Sequence, residues 1–157
     1  MMAMVGFLCV GLGVAVPAAV FLDFTDRQGD SPVTPTEAAD LYLVQLDQGE
    51  EIGLRRALAG SRRDELLDQW RELKATIERS DPPDKLEWSA FDIEDQGDDK
   101  IAVTVPVQAV WWGERGMSMV GTEYPWRFSM KREDNGWRIT QVEPFAWCGG
   151  HVRAEAC

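Results

Sequence analysis

Three side chains in this sequence are candidates for an acid–base catalyst, and they are far apart along the chain. The single histidine, His151, lies in the C-terminal tail, beyond the last strand pattern. Asp92 and Tyr124 fall on predicted strands, where a buried carboxyl can act as a general base and a phenol can donate to an oxyanion. We favour a structural interpretation of each: a solvated tail histidine, an acid at the rim and a core tyrosine whose hydroxyl bonds locally. The sequence therefore does not predict an enzyme.

The cysteines suggest an oxidising compartment. Cys148 and Cys157 lie close together in the tail, whereas Cys9 lies in an apolar N-terminal segment. A bridge between Cys148 and Cys157 would stabilise the fold by about 2–3 kcal/mol. The alternatives are unpaired thiols or a metal site, but Cys148, His151 and Cys157 provide too few ligands, because structural zinc usually takes four. We expect the disulfide and no bound metal.

Composition and motifs exclude several classes of function. The net charge of −11 argues against nucleic acid or an anionic lipid surface as the partner. The sequence has no glycine-rich phosphate loop, nucleophile elbow or cluster with metal-ligand spacing. An acidic run around the first predicted turn lacks the residue order of a calcium-binding EF-hand loop; it comprises Asp92, Glu94, Asp95, Asp98 and Asp99. We expect no cofactor.

Residues 1–22 contain no charged side chain, and the chain becomes acidic immediately afterwards. A helix of that length can cross a hydrocarbon core of about 30 Å. As a cleaved signal peptide the segment lacks a basic start and a good cleavage site; a buried soluble helix is a further alternative. We predict an uncleaved transmembrane anchor, a linker over residues 23–33, and a domain on the extracytoplasmic side because acids dominate the following residues.

The remaining residues suffice for one domain, over residues 34–147, with a tail over residues 148–157. Thr34 followed by Pro35 and Glu37 is typical of a helix start, and Gly49 of a helix end. A second, short helix is predicted over residues 50–58, with Ile52, Leu54 and Leu58 facing inward. A third is predicted over residues 62–79, ended by the prolines that follow it.

The apolar period then changes from that of a helix to that of a strand. The apolar residues Leu86, Trp88 and Ala90 alternate with polar ones. The apolar residues Phe91 and Ile93 then occupy the other phase of this alternation, which indicates a β-bulge between the two sets. Further strands are predicted over residues 101–112, 124–131 and 137–143, with a loop over residues 113–121 and turns at residues 97–99 and 134–136. Pro106 and Pro125 are expected at edges or bulges. The pattern predicts an α+β domain with three helices on a four-stranded antiparallel sheet.

This order of elements, closing on the strand of residues 135–144 (NGWRITQVEP), resembles the NTF2-like superfamily of cone-shaped α+β domains. The sequence is most similar to membrane-anchored extracytoplasmic members from GC-rich Gram-positive bacteria. The resemblance covers residues 34–147 and is architectural. It implies a sheet wrapped on helices, often a dimer through the open sheet face, and a cone cavity that is catalytic in only some members. It transfers no catalytic residue to this chain.

The adjacent tryptophans Trp111 and Trp112 must face opposite sides of their strand, so both cannot enter one core. Trp112, with Met117 and Met119 in the following loop, is our candidate contact surface, since tryptophan is favoured at binding hot spots. The alternative is that Trp112 packs under its own loop or under the tail. We expect a membrane-anchored accessory or scaffold domain that acts through protein–protein interaction in an envelope complex, with homodimerisation open. The alternative function is a small apolar-ligand-binding protein or isomerase-like enzyme, with Tyr124 and Asp92 in the cone cavity.

Overall fold

The computed structural model describes residues 32–79, 82–113, 116, 118–133 and 136–144. The predicted anchor over residues 1–22, most of the linker, and the tail with Cys148, His151 and Cys157 lie outside the described residues, as does Met117. None of the helices in the described ranges combines the length and the apolar character needed to cross a bilayer. The same ranges hold no group of three or more histidine, cysteine, aspartate or glutamate side chains that could bind a metal ion.

The first helix, α1, spans Pro35–Gln48 and begins and ends where the sequence predicts. The Thr34 hydroxyl accepts from the Glu37 amide at 3.2 Å, and the Glu37 carboxylate accepts from the Thr34 amide at 3.0 Å. This reciprocal pair satisfies two amide donors that a helix start otherwise leaves without partners. At the other end, Gly49 has a φ of 72° and its amide donates to the carbonyls of the last turn. Both ends are therefore set by local sequence.

The predicted second helix is wrong. Residues 50–58 contain only a short 3₁₀ turn, Leu54–Arg56, and a second 3₁₀ turn follows at Gly60–Arg62. Between them the chain pairs with the last strand: the Ile139 amide donates to Ala57 at 2.7 Å, and the Ala59 amide donates to Ile139 at 2.9 Å. This long-range pairing replaces helical hydrogen bonds. Leu54 and Leu58 are buried as expected, but Ile52 is 89% exposed, which corrects its predicted inward position.

The second α-helix, α2, spans Arg63–Arg79, so the described part of the domain has two α-helices where three were predicted. Its buried residues recur at helical spacing and face the sheet; they are Leu66, Leu67, Trp70 and Ile77. The predicted end before the prolines is confirmed.

The sheet is antiparallel and has six strands within the described residues, where four were predicted. The central strand β3 pairs with β1 and β2 along one edge and with β4 and β5 along the other, and β6 pairs with β5. The strands are β1 (Lys85–Trp88), β2 (Asp92–Gly97), β3 (Lys100–Trp112), β4 (Ser118–Val120), β5 (Tyr124–Glu133) and β6 (Gly136–Glu143).

Two features account for the additional strands. Trp88 pairs with Val107 and Asp92 pairs with Thr104, so the register shifts by one residue between them. The predicted bulge is therefore confirmed, but it interrupts the pairing and divides one predicted strand into β1 and β2. The strand β4 lies inside the predicted loop over residues 113–121 and pairs with the end of β3.

Pro106 and Pro125 lie directly opposite each other in the β3–β5 ladder. Because neither has an amide proton, this must be a pair without mutual hydrogen bonds, whose nitrogens point away from each other. The nitrogen of Pro106 therefore points toward the edge formed by β1 and β2, at the break between these two strands. The nitrogen of Pro125 points toward the side of β6, but the pairing with β6 ends at Glu143, before it reaches Pro125. Both prolines occupy positions where no ladder donor is needed.

The core forms where α1 and α2 cover one face of the sheet. The inward residues of β3 alternate as predicted, and the buried aromatic side chains on neighbouring elements complete the layer. The largest fully buried side chains include Tyr42, Trp126 and Phe128.

The β2–β3 connection is a two-residue turn, since Gly97 pairs with Lys100. Asp98 and Asp99 have φ values of 53° and 56°, a conformation that glycine adopts more easily than aspartate. We expect Asp99→Gly to raise the free energy of unfolding by about 0.5–1 kcal/mol. The matched control is Asp92→Gly in the extended strand β2. This substitution should lower the free energy of unfolding by a similar amount. Urea unfolding followed by circular dichroism measures both, and a loss of stability in Asp99→Gly would contradict the interpretation.

Candidate functional site

The end of β3 presents its two tryptophans to different surroundings. Trp111 is 3% exposed and belongs to the core, whereas Trp112 is 59% exposed. The prediction that the two side chains lie on opposite faces is confirmed, because successive residues of a strand alternate. Exposure of so large an apolar side chain is the first indication of a contact surface.

Two further apolar side chains lie beside Trp112 on β4, where Val120 is 54% exposed and Met119 is 46% exposed. Val120 pairs with Val110, which projects from the same face as Trp112 and is itself buried. Met119 pairs with Trp111, so it projects from the other face. We call Trp112 and Val120, which project from the same face, the sheet-end patch; Met119 is exposed on the opposite face and lies outside it.

The backbone under the sheet-end patch is held from both sides. The Asp84 amide donates to the carbonyl of Val110 at 2.9 Å, and the Asp84 carboxylate accepts from the amide of Trp112. On the opposite edge, β4 pairs with the same residues of β3. The exposed side chains are therefore presented by a fixed frame. Val120 is not indicated by the sequence, because the pattern of residues 113–121 predicts a loop where β4 forms.

The two residues proposed for a cone cavity do not form one site. Asp92 is exposed and pairs with Thr104, so it projects from the face turned away from the helices. Tyr124 is half-buried and pairs with Val107, which belongs to the core face. Since the two side chains leave opposite faces of the sheet, they cannot act on one substrate.

The described core contains very few polar groups. Gln45 is the only buried residue of the described chain that is classed as polar or charged, and its side chain accepts from the Gly53 amide at 3.2 Å. Asp40, which is half-buried, accepts from the indole of Trp88 at 2.8 Å. Within the described residues the core therefore offers no buried carboxylate or imidazole for general acid–base catalysis.

Tyr42 brings a phenol hydroxyl into the otherwise apolar core, which the sequence pattern does not indicate. Its side chain is fully buried in edge-to-face contact with Phe128, with ring centroids 5.4 Å apart. Its hydroxyl has no hydrogen-bond partner in the described structure. Burial raises the pKa of this phenol well above its ordinary value, because the phenolate would lie in an apolar surrounding.

A cleft of about 270 Å³ opens where the C-terminal ends of α1 and α2 approach β1. Leu46, Ile77 and Leu86 form its apolar walls, and Pro82 and Pro83 line it from the connection before β1. We call it the helix-end cleft.

The rim of the helix-end cleft is charged. The Lys74 ammonium donates to the carbonyl of Gly49 at 2.7 Å and lies 3.6 Å from the carboxylate of Glu78. The Asp47 carboxylate accepts from the Leu86 amide at 2.6 Å, which joins α1 to β1. No local sequence signal indicates this cleft, because its residues come from three separate elements.

Comparison with solved structures supports the fold. Aln2 from a Streptomyces species is 13% identical at a TM-score of 0.52, over 68% of this chain and 83% of that one. Rv3472(D26N) from Mycobacterium tuberculosis, described as a protein of unknown function, is 11% identical at a TM-score of 0.51, over 83% of this chain and 75% of that one. No protein-family model matches the sequence, and no curated protein matches it.

Identities of this size show a shared fold and transfer no activity. The α+β architecture, with two helices packed on an antiparallel sheet, is consistent with the NTF2-like fold that the sequence resembles. The function must therefore be argued from this chain's own surface and clefts.

Proposed function

We propose that this chain is a membrane-anchored, extracytoplasmic domain that acts through protein–protein interaction, with the sheet-end patch as its contact surface. The observation that supports this proposal is the exposure of Trp112 beside Val120 on one face of a fixed frame. Clustered exposed apolar side chains are typical of interaction sites, and tryptophan is enriched among the residues that dominate binding.

The rigidity of the patch favours binding. Because β3 and β4 are paired and Asp84 holds the Trp112 backbone, little conformational freedom is lost when a partner covers these side chains. The apolar segment over residues 1–22 would hold the domain at a membrane, which raises its effective concentration near membrane partners. A contact surface of modest size would then suffice for an accessory role in an envelope complex.

The test is recovery of partners from native membranes by tagged full-length protein in mild detergent. Trp112→Ser is expected to reduce recovery of a stoichiometric partner by about tenfold or more. The matched control is Ile52→Ser, which removes an exposed apolar side chain from the loop between the helices and should leave recovery unchanged. Equal recovery with Trp112→Ser would contradict the assignment of the patch.

Intact-mass analysis of the same bait tests the remaining expectations. A retained N-terminal segment supports the anchor, and a mass two hydrogens below the reduced value supports the bridge between Cys148 and Cys157. Cleavage after the apolar segment would indicate a secreted domain.

The second candidate function is binding of a small molecule, and the helix-end cleft favours it. Apolar walls with a few charged groups at the rim are typical of ligand sites, although a volume of about 270 Å³ limits the ligand to a small one. An isomerase-like activity lacks support in the described core, which holds no buried carboxylate or imidazole.

A further inference from the structure

We propose that the free edge of β2 binds an extended segment of a partner protein, in which basic side chains flank an apolar one. The segment adds a strand to the sheet. In this mode of recognition, backbone hydrogen bonds supply affinity and alternate side chains supply specificity. The edge lies at the opposite end of β3 from Trp112, so the proposal is independent of the sheet-end patch.

The edges of the sheet at β6 and β1 are covered by other parts of the chain. On β6, the amide and carbonyl groups of Ile139 bond to the segment Ala57–Ala59. On β1, the Leu86 amide donates to the Asp47 carboxylate at 2.6 Å. Both contacts occupy backbone groups that point away from the sheet. Among the described residues, none covers the edge of β2 in this way, and all six residues of β2 are exposed.

The register shows which backbone groups of β2 are free. Asp92 and Glu94 lie opposite residues of β3 that are in phase with Pro106 and whose backbone groups therefore point toward β2. The amide and carbonyl groups of Ile93 and Asp95 then point away from the sheet, and no backbone group of a described residue bonds to them. Their two-residue spacing is the one at which an antiparallel strand forms its hydrogen bonds, so this edge is a template for another chain.

The side chains of β2 indicate which segment fits. Ile93 pairs with Val103 and projects from the face that the helices cover, yet it is 49% exposed. Asp92 and Glu94 project from the other face, where the Glu94 carboxylate accepts from Arg127 at 2.7 Å. An added strand would place one side chain beside Ile93 and its two neighbours beside the acids. An apolar residue between two basic ones complements this arrangement.

Charge distinguishes a basic partner from a second copy of this chain. The strand β2 has three acidic side chains and no basic one, and Asp98 and Asp99 follow it directly. Antiparallel pairing of two β2 strands would bring acids close to acids, and like charges across a strand pair are destabilising. A basic segment gains from the same charges. The occupant is therefore a segment of another protein.

The test compares three pentapeptides with blocked ends: TKVKT, TEVET, and TKVKT with an N-methylated valine. Full-length protein in mild non-ionic detergent is titrated with each, and the amide NMR signals of Ile93 and Asp95 report pairing. We expect saturable shifts with TKVKT and about tenfold weaker binding of the other two. TEVET reverses the charge, and N-methylation removes the donor of the central residue. The Ile139 amide, which already has a partner, should not shift.

A charge variant tests the contribution of the acids. Asp92→Asn is expected to weaken TKVKT binding about threefold. The control is Glu72→Gln, at an exposed glutamate of α2, which should leave binding unchanged.

Each part of the proposal has a result that would overturn it. Equal binding of the N-methylated peptide would overturn strand pairing, and equal binding of TEVET would overturn charge selection. Absence of shifts with TKVKT would show that the acids of β2 serve to prevent pairing. Slow hydrogen exchange of the Ile93 and Asp95 amides in the free protein would show that the edge is already covered. None of these results would affect the partner-recovery test of the sheet-end patch.

Discussion

Trp126→Ala is expected to lower the free energy of unfolding by about 3–5 kcal/mol, the largest effect of any substitution considered for this chain. Trp126 is fully buried on β5, opposite Val105 on the central strand. Removing the indole leaves a cavity that the surrounding strands and helices can close only in part. Since a domain of this size is stable by about 5–15 kcal/mol, the variant would lose a large fraction of its stability.

Urea unfolding of the purified full-length protein in mild detergent measures this effect. The matched control is Trp112→Ala, which removes the same side chain from an exposed position and should change stability by no more than about 0.5 kcal/mol. Similar losses in the two variants would show that Trp112 is part of the packed domain, and the sheet-end patch would then be a structural feature.

Tyr42→Phe is expected to raise the free energy of unfolding by about 1–3 kcal/mol at neutral pH. The Tyr42 hydroxyl is buried without a hydrogen-bond partner in the described structure, so folding removes it from water without compensation. Phenylalanine keeps the ring and its contact with Phe128 and removes the desolvated group. A destabilised Tyr42→Phe would show that the hydroxyl is satisfied in solution, by a water molecule or by a ligand in the core.

The same residue predicts a pH dependence. Burial raises the pKa of Tyr42 above the ordinary value of 10.0, so the folded protein holds this proton where the unfolded chain releases it. Below pH 10 the phenol is protonated in both states and stability does not depend on it. Above pH 10 the free energy of unfolding falls by about 1.4 kcal/mol for each pH unit, until the pKa of the folded state is reached.

Tyr42→Phe lacks this group, so the stability difference between the variant and the parent chain should widen between about pH 9 and pH 11. Parallel urea unfolding at several pH values measures the difference, and all other titrating groups cancel between the two proteins. A difference that stays constant over this range would contradict the burial of the phenol.

The features that the sequence predicted correctly are those set by neighbouring residues. The helix start at Thr34 and the helix end at Gly49 depend on side chains within a few positions, and the turn after Gly97 depends on two aspartates that tolerate positive φ. The bulge after Trp88 was visible because the apolar alternation changes phase there. Such signals are local and do not depend on the rest of the fold.

The features that the sequence did not predict depend on distant pairings. The segment Ala57–Ala59 does not continue a helix because it pairs with Ile139, a residue from the other end of the domain. The strand β4 exists because it pairs with the end of β3. In both places the local pattern gave the wrong element because a tertiary hydrogen bond replaced the local one.

The candidate sites show the same difference between features set by neighbouring residues and features set by distant contacts. Alternation along one strand was enough to predict that Trp111 and Trp112 have different surroundings. The position of Val120 in the patch and the meeting of Asp47, Lys74 and Glu78 at one cleft follow only from the packing of separate elements. The sequence therefore indicated one contact residue but not the surface around it.

The most direct test of the proposed function is photo-crosslinking from position 112 in the native membrane. A photoreactive phenylalanine analogue at position 112 of the full-length protein keeps an aromatic side chain at the patch, and the same analogue at position 52 is the control. We expect one discrete crosslinked partner from position 112 and none from position 52. No crosslinked protein from position 112, or the same products from both positions, would contradict the claim that this chain acts through the sheet-end patch.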